Sequence, residues 1–132
     1  MRQTLGSRQL EELRATLKAR SRQLREEIRQ TLIKSDEEQY TMIADQVRDL
    51  EDDSFADLMV DVNLAEIDRD LQELRLIDAA FLRLSDGTYG QCDGCGSPID
   101  FDRLRAAPFA SRCFDCQSAF ERNHVQNIGH TL

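Results

Sequence analysis

A chain of 132 residues has room for one compact domain or for a small module on an extended arm, and the absence of Trp, with 6% aromatic and 32% charged residues, excludes a large apolar core. The formal net charge of -8 argues against binding nucleic acid through its phosphates, which rewards a basic surface. No apolar run reaches bilayer length, and Met1 is followed by Arg2 and polar residues without an apolar signal core, so the expectation is a soluble, cytoplasmic protein with no membrane partner.

From about Arg8 to Leu50 there is no Pro or Gly, and Leu10, Leu13, Leu17, Leu24 and Ile28, then Ile43, Val47 and Leu50, recur near steps of three and four. That spacing predicts a long amphipathic helix, with a stutter or a poorly packed turn between Thr31 and Tyr40 where the stripe lapses. A second run follows Ser54. Leu58, Val60 and Val62 lead into it, Leu64, Ile67, Leu71, Leu74 and Phe81 mark a heptad with Asp78 at one seam position, and Ile77, Leu82 and Leu84 widen the apolar face. Asp86 and Gly87 predict its stop. Two long stripes joined by a short acidic junction pack most economically as an antiparallel coiled-coil hairpin over 1–86. Charge agrees: residues 1–34 carry nine Lys and Arg against four acids, and 35–85 carry four against fifteen.

The junction, 49–57, holds Asp49, Glu51, Asp52, Asp53 and Asp57 and no basic residue. Ser54 with Asp57 three residues on suits a helix N-cap, which alone accounts for acids there. The other reading is that Asp49 and Asp52 are held out on the arm to reach a metal or a basic cleft of a partner, since hard carboxylate oxygens suit Mg²⁺.

All four cysteines follow in residues 87–132, as two Cys-x-x-Cys pairs, Cys92/Cys95 and Cys113/Cys116, separated by seventeen residues. This spacing points to one structural Zn²⁺ rather than two disulfides or four free thiols. Each turn offers two thiolates at about 2.3 Å from the ion, and two turns close a tetrahedron with no open position for catalysis. Gly94 and Gly96 suit positive φ in a tight knuckle. Ile99, Leu104 and Phe109 are apolar enough to cover the site, though so small a module depends on the metal for much of its folding free energy. Gln117 to about Gln126 predicts a short C-terminal helix, with a frayed tail from Ile128 to Leu132. His124 and His130 lie beyond a shell already filled by thiolates and are expected on the surface. With four Arg against six acids in 86–132, the module is not basic. No nucleophile, base and cleft converge, so the chain is not expected to be an enzyme.

The run Tyr89-Gly90-x-Cys92-x-x-Cys95-Gly96-x-x-Ile99, continuing through Arg103-Leu104-x-Ala106-x-Pro108-x-Ala110 to Cys113-x-x-Cys116, resembles the DksA/TraR zinc-finger family. The likeness is strongest over 89–117 and extends to the hairpin before it. It implies a bacterial transcription factor that binds RNA polymerase without contacting promoter DNA. Its hairpin would enter the secondary channel, through which nucleotides reach the active-site Mg²⁺, and its tip would destabilise open promoter complexes. Members of the DksA type carry Asp-x-x-Asp-x-Ala at the turn, a pattern that falls on Asp49, Asp52 and Ser54, with Ser in place of Ala. The basic residues by which such members help hold guanosine tetraphosphate correspond to Leu76, Ala107 and Gln117, none of which pairs with a pyrophosphate, so the resemblance implies weak or absent synergy with that alarmone. Arg69 on the second helix could contact polymerase, although a lone Arg on a helix face is ordinarily just solvated. The expected state is a monomer, because an intramolecular hairpin already uses the seam. The competing readings are a zinc-stapled interaction module with another partner, a thiol redox sensor, and a nucleic-acid-binding zinc ribbon, the last opposed by the acidic balance.

Overall fold

The computed structural model describes residues 5–35, 38–47 and 65–130, with side chains for 5–35, 40–46 and 65–123. The anticipated turn at 49–57, with Asp49, Asp52, Ser54, Asp57 and the nearby Asp61, lies outside the described residues, as do Leu58, Val60, Val62, Leu64 and the side chains of Val47, His124 and His130. Five helices are described: α1 (Ser7–Lys34), α2 (Glu38–Val47), α3 (Ala65–Asp86), α4 (Phe101–Ala106) and α5 (Phe114–His130). They fall into two compact units, 15–79 and 1–14 with 80–132.

α1 is built from Leu, Arg, Glu, Gln and Ala with no Gly or Pro inside it, residues that lose little side-chain freedom in a helix. Gly6 stands at its N-cap, and the Gln9 side chain reaches back to accept the Gly6 N–H at 2.9 Å, half of a capping box. At the other end Ser35 donates from its hydroxyl to the Leu32 carbonyl at 2.6 Å, and α1 stops at Lys34. Of the stutter or turn expected here, the structure has a turn at Ser35, and α2 begins at Glu38.

In the 15–79 unit the buried row of α1 runs Leu17, Ser21, Leu24, Ile28 and Leu32, and that of α3 runs Ile67, Leu71, Leu74 and Ile77, with Ala44 buried from α2. Each buried Leu or Ile contributes roughly 1.5–3 kcal/mol relative to exposure. The pairing is antiparallel: Arg20 of α1 forms a two-pronged ion pair with Glu73 of α3, one bond of 3.0 Å, and Glu27 further along α1 hydrogen-bonds Asp70, earlier in α3. Two expectations change. Asp78 does not hold a seam position, because beyond Leu74 the buried row steps by three to Ile77 and Ala80, leaving Asp78 and Phe81 half-buried beside it. On α2 the fully buried residue is Ala44, while Ile43 is half-buried.

In the other unit α3 ends as the Asp86-Gly87 pair predicts. Gly87 takes φ 82°, and the Thr88 N–H donates to the Arg83 carbonyl at 3.0 Å, closing a Schellman turn. The chain then makes a small two-rung turn, with Gln91 bridging Pro98 and the Ile99 N–H donating to the Gly90 carbonyl at 2.7 Å. Leu104 of α4 is fully buried and Ile99 and Ala110 nearly so, whereas Phe109 is only half-buried. Tyr89 is buried with its hydroxyl donating to the Pro108 carbonyl at 2.8 Å, and burial pushes its phenol up to about 12. α5 differs from expectation at both ends. It begins at Phe114, so that Cys116 sits in its first turn, and it continues to His130, through the start of the expected frayed tail.

Candidate metal centre

The first knuckle is a tight loop in which the Gly96 N–H donates to the Cys92 carbonyl at 2.9 Å and the Cys92 N–H to the Ser97 carbonyl at 2.8 Å. Gly96 takes φ 74°, a left-handed conformation that other residues reach only with strain. Gly94 serves differently from expectation: it is not among the positive-φ glycines, but a Cβ there would lie 3.0 Å from the Cys116 sulfur and 3.3 Å from its Cβ. The second knuckle opens α5, with the Cys116 N–H directed at the Cys113 Sγ at 3.5 Å and the Gln117 N–H donating to the Cys113 carbonyl at 2.9 Å. One backbone bond ties the knuckles together, from the Asp93 N–H to the Ser111 carbonyl at 2.8 Å, and the Arg103 Nε donates to the Arg112 carbonyl at 2.9 Å. The spacing rule does not reveal these ties, although Arg103 belongs to the family pattern and was legible to that extent.

The four sulfurs of Cys92, Cys95, Cys113 and Cys116 lie within 4.8 Å of one another, with 3.9 Å between Cys95 and Cys113. Sulfurs at the corners of a tetrahedron drawn 2.3 Å from a central ion would be about 3.8 Å apart. A disulfide would bring two of them to about 2.05 Å. The donor set therefore fits one tetrahedral zinc ion, and it is the one such cluster of His, Cys, Asp and Glu among the described residues. In the first knuckle the surroundings favour thiolates. Burial works against ionising Cys92, yet the backbone N–H groups of Cys113, Cys95 and Gly94 outweigh it and hold that thiol down to about 6, with the Gly94 N–H 3.3 Å from the sulfur. Ser97 lowers Cys95 through its hydroxyl and its backbone. Hydrogen bonding to the Cys92, Cys113 and Cys95 sulfurs pushes Cys116 up to about 12.

Residues 87–122 match the family described as "Prokaryotic dksA/traR C4-type zinc finger". The "RNA polymerase-binding transcription factor DksA" of Escherichia coli K12 is 27% identical over 125 residues, which cover 95% of this chain and 80% of that protein. Its namesake in Caulobacter vibrioides is 30% identical over 120 residues, covering 89% of this chain and 80% of that one. The chain belongs to the DksA/TraR family. Among solved structures, the DnaK suppressor protein of Agrobacterium tumefaciens C58 is similar at a TM-score of 0.58 and 30% identity, covering 89% of this chain and 96% of that one. The cofactor of this DksA/TraR protein is one structural zinc ion, and Cys92, Cys95, Cys113 and Cys116 are the residues that would hold it. No helix among the described residues is long and apolar enough to cross a membrane.

Leu76, Ala107 and Gln117, which the resemblance set against the alarmone-holding side chains, are uncharged. Leu76 is an exposed apolar residue of α3, Ala107 closes α4 in an extended conformation, and Gln117 donates to Glu121 at 3.0 Å along α5. Arg69 is exposed on α3.

Proposed function

We propose that this protein regulates transcription initiation by binding RNA polymerase, with the hairpin of 1–86 entering the secondary channel and the finger of 87–132 holding its base. The observation that carries the reading is the extent of the likeness: the alignment to a factor named for binding RNA polymerase runs over 95% of this chain, arm and finger alike. A zinc centre with four thiolates and no open position supports a scaffold rather than a catalyst. The non-basic finger supports action without direct DNA binding. On this reading Asp49 and Asp52 act at the tip on the active-site region, Ser54 alters the tip's contacts, the protein works as a cytoplasmic monomer, and guanosine tetraphosphate adds little to its effect because Leu76, Ala107 and Gln117 cannot pair with a pyrophosphate.

The test is capture of core RNA polymerase by the zinc-loaded protein, followed by competition with another factor that occupies the secondary channel. Capture that the competitor abolishes supports the reading. Capture that it leaves intact places the contact elsewhere, and no capture returns the chain to an interaction module with another partner.

A further inference from the structure

The two flanks of the hairpin seam in the 15–79 unit carry charge in different ways. On one flank charges of α1 are engaged across the helices, Arg20 with Glu73 and Glu27 with Asp70. On the other, the row one step past the buried residues Leu17, Ser21, Leu24 and Ile28 reads Lys18, Arg22, Arg25 and Arg29, four cations and no acid. Arg29 is held by Glu26 at 2.7 and 2.9 Å. Lys18 and Arg22 are exposed, and the Arg22 Nε donates to the Lys18 carbonyl at 3.4 Å. The register set by the Arg20–Glu73 and Glu27–Asp70 pairs places Arg75 of α3, also exposed, on this same side, opposite the stretch between Lys18 and Arg22. Among the described residues none of the three has a carboxylate partner.

A single cation on a helix face is ordinarily just solvated. Three gathered on one side are different, because like charges one turn apart or facing across a seam repel, and the acids nearest them are Glu26, engaged with Arg29, and Asp68, a heptad before Arg75 on α3. We propose that Lys18, Arg22 and Arg75 form a docking surface for a carboxylate-bearing protein surface, and that this surface belongs to RNA polymerase; the proposal rests on the function proposed above and assigns it a contact along the arm, separate from tip and finger. Nucleic acid is the poorer occupant, because the opposite flank of the same arm presents Glu27, Asp70 and Glu73 and the whole chain carries -8. Cations on a rim accelerate and stabilise encounter with an acidic partner in a salt-dependent way.

The experiment measures the affinity of core RNA polymerase for the native zinc-loaded protein, for the triple variant Lys18→Gln/Arg22→Gln/Arg75→Gln, and for the charge-preserving triple Lys18→Arg/Arg22→Lys/Arg75→Lys, each across a salt series, with helix content and zinc content checked for all three. The expected result is binding about ten-fold weaker for the neutral variant at low salt, a gap that closes as salt rises, and native-like binding by the charge-preserving one. Equal affinity and equal salt slope for native and neutral proteins would overturn the proposal and leave the polymerase reading standing. No binding by the native protein would remove both. A duplex DNA fragment is the second arm: salt-sensitive DNA binding that the neutral variant loses would overturn the proposal in favour of a nucleic-acid surface.

Discussion

Gly94 and Tyr89 carry more of the finger than their chemistry advertises. A methyl at Gly94 would press on the Cys116 sulfur at 3.0 Å, in a loop whose N–H also points at Cys92. Gly94→Ala is therefore expected to weaken zinc retention about ten-fold, as other disturbances around a metal's ligands do, read by competition with a chromogenic chelator. Retention equal to the native protein would show that the knuckle yields freely. Tyr89→Phe keeps the buried ring but removes the donor to the Pro108 carbonyl, and the expected loss is about 1 kcal/mol in thermal or denaturant unfolding of the zinc-loaded chain. The geometric role of Gly96 was open to sequence reasoning, since positive φ is what glycine permits. That of Gly94 was not, because it depends on a sulfur from the second knuckle that only the fold brings near.

At the scale of the helices, the seam between α1 and α3 combines apolar burial with a carboxyl pair. Leu24 is fully buried, so Leu24→Ala is expected to cost about 2–5 kcal/mol, seen as an earlier loss of helical signal on heating. Glu27 is held above the usual carboxylate range, chiefly by its hydrogen bond to Asp70, then by burial and by the Asp70 charge. A group whose pKa is raised by folding contributes stability that is fully present below its unfolded value and fades as the pH rises through the folded one. The native protein should thus gain on Glu27→Gln as pH falls from neutral into the mildly acidic range, and a melting-temperature gap that ignores pH would contradict this. The stripes that build the hairpin were legible, as Leu13, Leu17, Leu24, Ile28, Ile67, Leu71 and Leu74 are all buried. Less legible were Ser21, a polar residue buried in the seam, and the handover from Asp78 and Phe81 to Ile77 and Ala80, because a fixed heptad has no term for a helix whose buried row advances by threes. The early start of α5 was hidden for a related reason: a Cys-x-x-Cys pair reads as a loop, yet here the Cys113 carbonyl and sulfur receive the first helical N–H groups.

At the scale of the whole molecule, one metal per chain supplies folding free energy to a finger with few buried apolar residues of its own. Zinc analysis should give one ion per chain, and thiol titration after chelation should release four reactive sulfhydryls with unfolding of the 87–122 segment. A chain that keeps its finger fold after complete chelation would contradict that dependence. The larger claim is that the acidic end of the hairpin acts inside RNA polymerase. It is tested most directly by transcription in vitro from a sensitive ribosomal promoter, comparing the native protein with Asp49→Asn and Asp52→Asn at concentrations that saturate polymerase. The native protein is expected to change open-complex lifetime, and either substitution to remove most of this effect while polymerase binding persists. An effect of equal size from native and substituted proteins would contradict it.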